Sequence, residues 1–468
     1  MKLLSRLSGL LAAACVCAPG FAQESAQVRK PNILLIVADD LGYGDLGVQG
    51  QRVIATPNLD RLAAEGMRFT RGYAGSTVCA PSRCALMTGL HTGHALIRGN
   101  AQVPLRPEDV TMAEVLKSAG YATGLFGKWG LGEEGSTGVP NRQGFDSFFG
   151  FLNQHHAHNY YPDFLYRNEA RIKLEGNVIG PVDNVATKRT VYAPDLFLKE
   201  ALAFLEANRD RPFFLEFANT LPHANNERGR ELGDGMEVPD YGPYADKPWK
   251  SPHKGHAAMI GRLDGDVGQL LDKLRALGLE RDTLVIFTSD NGPHKEGGAD
   301  PKFFQSSGPL RGYKRDLYEG GIRVPFLARW PGKVTAGATT SAPVAFWDLL
   351  PTFAEVAGVN APDGLDGVSI LPTILGKSGK IDRPPLYWEF HEGGFKQAAV
   401  MGDWKAVRVG LDRPLEIYDL AKDEGETRDL ARERPEIVAR FESHFQGART
   451  ESPHWPLKRG GRAAARTD

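Results

Sequence analysis

The fold is decided by the stretch Asn32-Ile33-Leu34-Leu35-Ile36-Val37-Ala38-Asp39-Asp40. Its apolar centre, Ile33 to Val37, is typical of a strand that is covered on both faces. Similar apolar runs span 121–126, 212–217 and 283–287, and amphipathic helical patterns lie between them at 111–117, 196–207 and 259–277. This alternation predicts an α/β domain with a mostly parallel, mixed central sheet flanked by helices.

The sequence changes character after about residue 375. Three stretches predict antiparallel strands joined by Gly and Asp turns, at 385–390, 398–408 and 415–420, and a helix follows from Pro435 to about Gln446. We therefore expect a smaller C-terminal α+β domain with an antiparallel sheet. The predicted division is a signal peptide at 1–22, a catalytic domain at 28–376, the smaller domain at 384–456 and a basic flexible tail at 457–468.

The N-terminal segment is typical of a secretory signal. Lys2 and Arg6 precede an apolar core, and Gly20-Phe21-Ala22 offers a small-residue cleavage site. The apolar core is too short for a membrane span, and no later segment has the roughly 20 apolar residues that a span needs. We expect a periplasmic or secreted protein without a transmembrane segment; lipoprotein anchoring is the alternative.

The net charge and the cysteine content narrow the classes of protein to which this chain can belong. The formal charge is −1, and it becomes −3 once Lys2 and Arg6 leave with the signal, so nothing indicates a nucleic-acid partner. Two of the four cysteines also leave, and the mature chain keeps Cys79 and Cys84. Without a disulfide framework, an exported chain of this length depends on a large core.

A second informative stretch is Val78-Cys79-Ala80-Pro81-Ser82-Arg83-Cys84. Pro81 suits the first turn of a helix, and Gly89 can end that helix. Cys79 would then lie at a helix N-terminus, which favours an anion, with Arg83 one turn further along. The alternatives are a buried cysteine that packs as a small apolar residue, and a disulfide between Cys79 and Cys84.

Cys79 followed by x-Pro-Ser-Arg resembles the maturation signature of the type I sulfatases, a family within the alkaline-phosphatase-like superfamily. The resemblance implies that a formylglycine-generating enzyme acts on this chain and oxidises Cys79 to Cα-formylglycine. The hydrated aldehyde would attack the sulfur of a sulfate ester, and its second hydroxyl would then expel sulfate. A serine could form the first bond but could not perform that elimination.

Two acidic segments follow predicted strands, Asp39-Asp40 and Asp290-Asn291. Each alone is typical of a turn. Together they supply the hard oxygen ligands that suit Ca²⁺ or Mg²⁺, and they resemble the sulfatase metal site. The resemblance implies Ca²⁺, with Mg²⁺ or another divalent ion as the alternative, and position 79 as a further ligand.

Three basic residues lie in segments that resemble the sulfate pocket of the family: Lys128 in Gly-Lys-Trp-Gly, His223 in Thr-Leu-Pro-His, and Lys314 in Leu-Arg-Gly-Tyr-Lys. Singly, such residues are usually solvated or structural. The resemblance implies that Arg83, Lys128 and Lys314 stabilise charge on the sulfuryl oxygens, and that His223 or Lys314 protonates the leaving alcohol.

One position departs from the family pattern. Gly130 stands where the family commonly has a histidine that helps to release sulfate. His155, His156 and His158 are nearby candidates for that role and are predicted to bind substrate, although they could equally form a sugar-binding wall or pack the loop. We interpret residues 133–163 and 225–249 as a substrate-selecting rim; the alternative is a mobile surface insertion.

The sequence thus predicts an exported sulfatase that acts on a sulfated carbohydrate, from small molecule to oligosaccharide, or on an aryl sulfate. Three alternatives remain: a phosphate ester or phosphonate monoester hydrolase on the same fold, a sulfoglycan-binding protein with lost turnover, and a Cys-dependent hydrolase. The second alternative rests on Gly130 alone, and the third lacks a histidine motif beside the thiol.

Overall fold

A computed structural model describes residues 29–457 of the 468-residue chain. The predicted signal peptide, and the predicted tail beyond residue 457, lie outside the described residues. The strands in chain order are β1 (Asn32–Ala38), β2 (Met67–Phe69), β3 (Gly72–Tyr73), β4 (Ala122–Lys128), β5 (Ser147–Phe151), β6 (Phe164–Arg167), β7 (Ala170–Lys173), β8 (Val178–Ile179), β9 (Ala186–Lys188), β10 (Phe213–Ala218), β11 (Thr283–Ser289), β12 (Phe326–Arg329), β13 (Ala338–Thr340), β14 (Val344–Ala345), β15 (Leu386–Phe390), β16 (Lys396–Met401), β17 (Trp404–Val409) and β18 (Glu416–Asp419).

The α-helices in chain order are α1 (Pro57–Ala64), α2 (Cys79–Thr88), α3 (Met112–Ser118), α4 (Ala193–Ala207), α5 (Asn226–Leu232), α6 (Ser251–Ala276), α7 (Pro301–Phe304), α8 (Glu319–Ile322), α9 (Leu349–Ala357), α10 (Leu371–Ile374) and α11 (Pro435–Gly447). The three helices predicted in the large domain correspond to α3, α4 and α6. Helix α6 begins eight residues before the predicted start, with Pro252 in its first turn, where proline is tolerated. Across residues 29–457, no helix is both long and apolar enough to cross a bilayer.

The central sheet has ten strands in the order β13-β2-β12-β11-β1-β10-β4-β5-β6-β7. Its five middle strands, from β11 to β5, run parallel to one another. Antiparallel pairs occur towards both edges, β12 on one side and β6 and β7 on the other. The prediction of a mostly parallel, mixed sheet is confirmed.

Strand β1 lies in the middle of this sheet and all seven of its residues are buried. Leu34 and Ile36 point to the face covered by α4 and α6, whereas Ile33, Leu35 and Val37 point to the face covered by α2, α3 and α9. Burying one such side chain contributes about 2 kcal/mol. Strand β1 therefore stabilises both halves of the core, as the continuous apolar run predicts.

The C-terminal segment forms a separate antiparallel sheet in the order β15-β16-β17-β18. Helix α11 packs on one face of this sheet through Phe441 and Phe445. On the other face, Trp388 packs against Trp347, which lies just before α9. The stretch predicted as a strand at 398–408 forms parts of two strands, because Gly402 has a φ of 63° and turns the chain back. The predicted domain limits stay a prediction.

Candidate active site

The sheet brings the predicted polar clusters to one edge. Asp39 follows β1 directly, Lys128 is the last residue of β4, and Asp290 follows β11. His223 comes five residues after β10. Because these four strands are neighbours and parallel, their carboxyl ends meet at the edge where α/β sheets commonly bind ligands.

Two buried lysines neutralise the two aspartates after β1. The Nζ atom of Lys128 lies 2.7 Å from Oδ2 of Asp39, and the Nζ atom of Lys314 lies 2.7 Å from Oδ2 of Asp40. Lys314 Nζ also lies 3.0 Å from Nε2 of His223. Burial alone would raise the pKa of Asp39, but Lys128 and the other nearby cations hold it well below its ordinary value.

Cys79 is the first residue of α2 and is 2% exposed. Its Sγ atom lies 3.4 Å from Oδ1 of Asp39. Burial and the charge of Asp39 both raise the pKa of the Cys79 thiol, so this cysteine lacks the thiolate character of a Cys-dependent hydrolase. Cys79 and Cys84 are both free within the described residues, and the disulfide alternative is therefore wrong.

Helix α2 and Arg83 hold this geometry. The helix ends at Gly89, whose φ of 69° allows its N–H to donate to the carbonyl of Ala85. One turn after Cys79, Arg83 donates through Nε and Nη2 to Oδ2 of Asp290 and through Nη1 to the carbonyl of Lys128. Arg83 therefore ties α2, which begins at Cys79, to the ends of β11 and β4.

The donor set fits a hard cation. The Nδ2 atom of Asn291 donates to Oδ1 of Asp40 over 2.6 Å, while its Oδ1 is buried and has no hydrogen-bond partner among the described residues. Burial and the nearby Asp39 raise the pKa of Asp290 to about 7, a repulsion that a bound cation would relieve. The potential ligand atoms of Asp39, Asp40, Cys79 and His223 lie within 4.8 Å of one another. Asp39, Asp40, Asp290 and Asn291 can each offer a side-chain oxygen, the type of ligand that Ca²⁺ and Mg²⁺ prefer.

The three predicted histidines follow β5 and have different surroundings. The ring of His158 stacks on that of His223, with 4.9 Å between centroids. His155 is half-exposed at the surface. The ring of His156 packs on Phe164, and burial lowers its pKa to about 4. Only His158 joins the cluster of Lys314 and His223.

Two polar residues of this region have no counterpart among the predicted site residues. The amide of Gln154 occupies the space beside Gly130, and Glu227 accepts a hydrogen bond from His158. Glycine at position 130, where the family commonly has histidine, indicates that a neighbouring residue fills the space of the larger side chain. Glu227 gave no such signal, because it lies in a polar stretch that is typical of a surface helix.

A mixed sheet with a parallel centre, a buried acidic cluster that could bind a metal, and several buried cations at the strand ends together favour a hydrolase of anionic esters. The family model described as Sulfatase matches residues 31–359, and the model described as N-sulphoglucosamine sulphohydrolase, C-terminal, matches residues 312–450. The chain belongs to the sulfatase family, within the alkaline-phosphatase-like superfamily, and is a sulfuric ester hydrolase.

Named relatives cover most of the chain. Arylsulfatase A of Homo sapiens is 35% identical over 86% of this chain and 84% of its own length. N-acetylgalactosamine-6-sulfatase of Sus scrofa is 34% identical over 81% of this chain and 72% of its own length. The crystal structure of Ps i-CgsB in complex with k-i-k-neocarrahexaose superposes with a TM-score of 0.78 at 29% identity, covering 92% of this chain and 95% of that one.

Proposed function

We propose that this sulfatase is exported and removes the sulfate ester from a carbohydrate, using a formylglycine made from Cys79 and a bound calcium ion. One observation carries the proposal: Cys79 begins α2 within hydrogen-bond reach of Asp39, in a buried cluster that also holds Lys128 and Lys314. The names of the relatives, and the oligosaccharide in the complex of Ps i-CgsB, support a sugar substrate.

The buried cations would bind and polarise the sulfate group. Lys128 and Lys314 would direct their ammonium groups towards the sulfate oxygens. Arg83 would hold α2 against the strand ends. His223 is held neutral, because burial and Lys314 lower its pKa, and its Nδ1 donates to the carbonyl of Ala224. The proton between Lys314 Nζ and His223 Nε2 is then the one available to the leaving alcohol.

Two groups would complete the site. Calcium would be held by the oxygens of Asp39, Asp40, Asp290 and Asn291, and it would supply further neutralisation of the sulfate oxygens. A formylglycine at position 79, made by a formylglycine-generating enzyme, would supply a hydroxyl nucleophile that a buried neutral thiol does not.

The rim would select the sugar. His155 and His158 lie at the junction of segments 133–163 and 225–249, where both reach Glu227. His155 also lines a cavity of about 270 Å³ beside the loop. His156 lines the same cavity, but the contact of its ring with that of Phe164 is better explained by packing of the loop.

A substrate panel tests the proposal. Protein matured together with a formylglycine-generating enzyme is assayed on 4-nitrophenyl sulfate, N-acetylgalactosamine 6-sulfate, 4-nitrophenyl phosphate and a phenyl phosphonate monoester, with Cys79→Ala as the inactive control. We expect kcat/KM for a sulfate ester to exceed that for either phosphorus ester. Faster phosphorus chemistry would favour the phosphate or phosphonate alternative, and binding of sulfated glycans without turnover would favour the binding protein. Recovery of the protein in the periplasmic or culture fraction tests export.

A further inference from the structure

Glu227 links the rim to the buried cluster. It lies in the first turn of α5, and its side chain is 11% exposed. Its Oε2 atom lies 2.9 Å from Nδ1 of His158, and its Oε1 atom lies 3.4 Å from Nε2 of His155. An ionised carboxylate only accepts hydrogen bonds, so the proton of this contact belongs to Nδ1 of His158.

His158 lies among charged groups of the site. Its ring is stacked on that of His223 at an interplanar angle of 15°. The charged or titratable groups that face it are Glu227, His155, His223, Lys128 and Lys314. Burial lowers the pKa of His158, Glu227 raises it, and the two lysines lower it further. The net effect is a lowered pKa, which favours the neutral ring.

A neutral imidazole with its proton on Nδ1 has an acceptor at Nε2. The Nε2 atom of His158 has no hydrogen-bond partner among residues 29–457, and the side chain is 15% exposed beside His223. The structure therefore presents an acceptor in a ring that stacks on His223, and Glu227 sets the orientation of that ring through Nδ1.

We propose that Glu227 is a positioning residue that fixes His158 in the Nδ1–H tautomer, so that Nε2 of His158 accepts a hydrogen bond from a hydroxyl group bound beside His223. The inference rests on the proposed sulfatase function. Two sources offer that chemistry, a hydroxyl of the sugar or a hydroxyl of the matured residue 79. In either case Glu227 acts through His158 and does not itself touch the substrate.

The test uses two variants in the full chain and one matched control. Glu227→Gln places an amide that can donate to Nδ1, which favours the opposite tautomer. His158→Asn keeps a donor towards Glu227 but lacks the Nε2 acceptor. Glu436→Gln makes the same chemical change in the first turn of another helix, α11, at an exposed residue outside the rim. Nitrogen-15 NMR of the histidine side chains reports the tautomer without any turnover.

We expect Nδ1–H at His158 in the parent protein and in Glu436→Gln, and a shift towards Nε2–H in Glu227→Gln. Both site variants should lose at least about tenfold in kcat/KM with little change in thermal stability. A loss on both 4-nitrophenyl sulfate and N-acetylgalactosamine 6-sulfate would assign the hydroxyl to residue 79, and a loss on the sugar alone would assign it to the substrate. An unchanged tautomer, or full activity of His158→Asn, would overturn the inference. Should the parent protein cleave no sulfate ester, the proposed function fails, and the NMR result still decides the role of Glu227.

Discussion

A Cβ atom on Gly130 would lie 1.8 Å from Nε2 of Gln154, so any larger residue at position 130 would force the Gln154 amide to move. Gly130 also has a φ of 85°, which favours glycine. Both polar atoms of the Gln154 amide are buried and have no hydrogen-bond partner among the described residues. The glycine that departs from the family pattern and the glutamine beside it therefore occupy one shared space.

The contact between Gly130 and Gln154 predicts that substitutions at two glycines differ in their effect on the stability of the protein. Gly130→Ala should destabilise the protein by more than Gly135→Ala, because Gly135 has a similar φ of 78° but nothing within 4 Å of its Cβ position. We expect roughly 1–2 kcal/mol for the backbone effect at either site and a further loss at residue 130 alone. Urea unfolding measures both. Adding Gln154→Ala should remove the further loss, and equal losses for the two glycine variants would contradict this interpretation.

Arg83 is predicted to matter for stability as well as for catalysis. Arg83→Met leaves the buried Asp290 without its partner, which costs about 3–5 kcal/mol of the free energy of unfolding. Arg61→Met removes a solvent-exposed pair with Asp272 and should cost less than about 1 kcal/mol. Urea unfolding of the two variants compares them. Similar small losses would show that Arg83 does not hold the helix to the strand ends.

Part of this architecture could be predicted from the sequence, for identifiable reasons. The continuous apolar run Ile33–Val37 predicts a strand that is buried on both faces. A polar residue directly after such a run marks the end of the strand. Asp39 and Asp290 could therefore be predicted to lie at strand ends. Glu227 was not, because its contact with His158 joins residues 69 positions apart across two loops. Gly402-Asp403 is itself a turn signal, which was missed because apolar residues precede it and the apolar pattern resumes at Trp404.

The C-terminal sheet predicts an acid-sensitive contribution to stability. Burial would raise the pKa of Glu389, but His391, Arg98 and Arg449 together lower it to about 2. A depressed folded-state pKa stabilises the protein above the unfolded-state value near 4.3 and is lost as the pH falls towards 2. The contribution is on the order of 3 kcal/mol, and about half should be lost between pH 5.5 and 3. Urea unfolding of the parent and Glu389→Gln across this range should show their difference shrinking; a constant difference would refute the assignment.

Removal of the metal should destabilise the site reversibly. A chelator is expected to lower both Tm and activity, and Ca²⁺ at about 100 times its Kd should restore roughly 3 kcal/mol of stability. Asp40→Ala removes one of the oxygen ligands and should abolish the Ca²⁺-dependent change in Tm. Restoration by Zn²⁺ but not by Ca²⁺ would contradict the calcium assignment and favour the phosphorus-ester alternative.

The central claim is that Cys79 becomes the nucleophile after oxidation, and mass spectrometry of the tryptic peptide Gly72–Arg83 from the native host tests it most directly. We predict an aldehyde at residue 79 that reacts with a hydrazide probe, with the buried Cys84 left as a thiol in the neighbouring peptide. An unmodified thiol at Cys79 in most molecules would contradict the proposed mechanism.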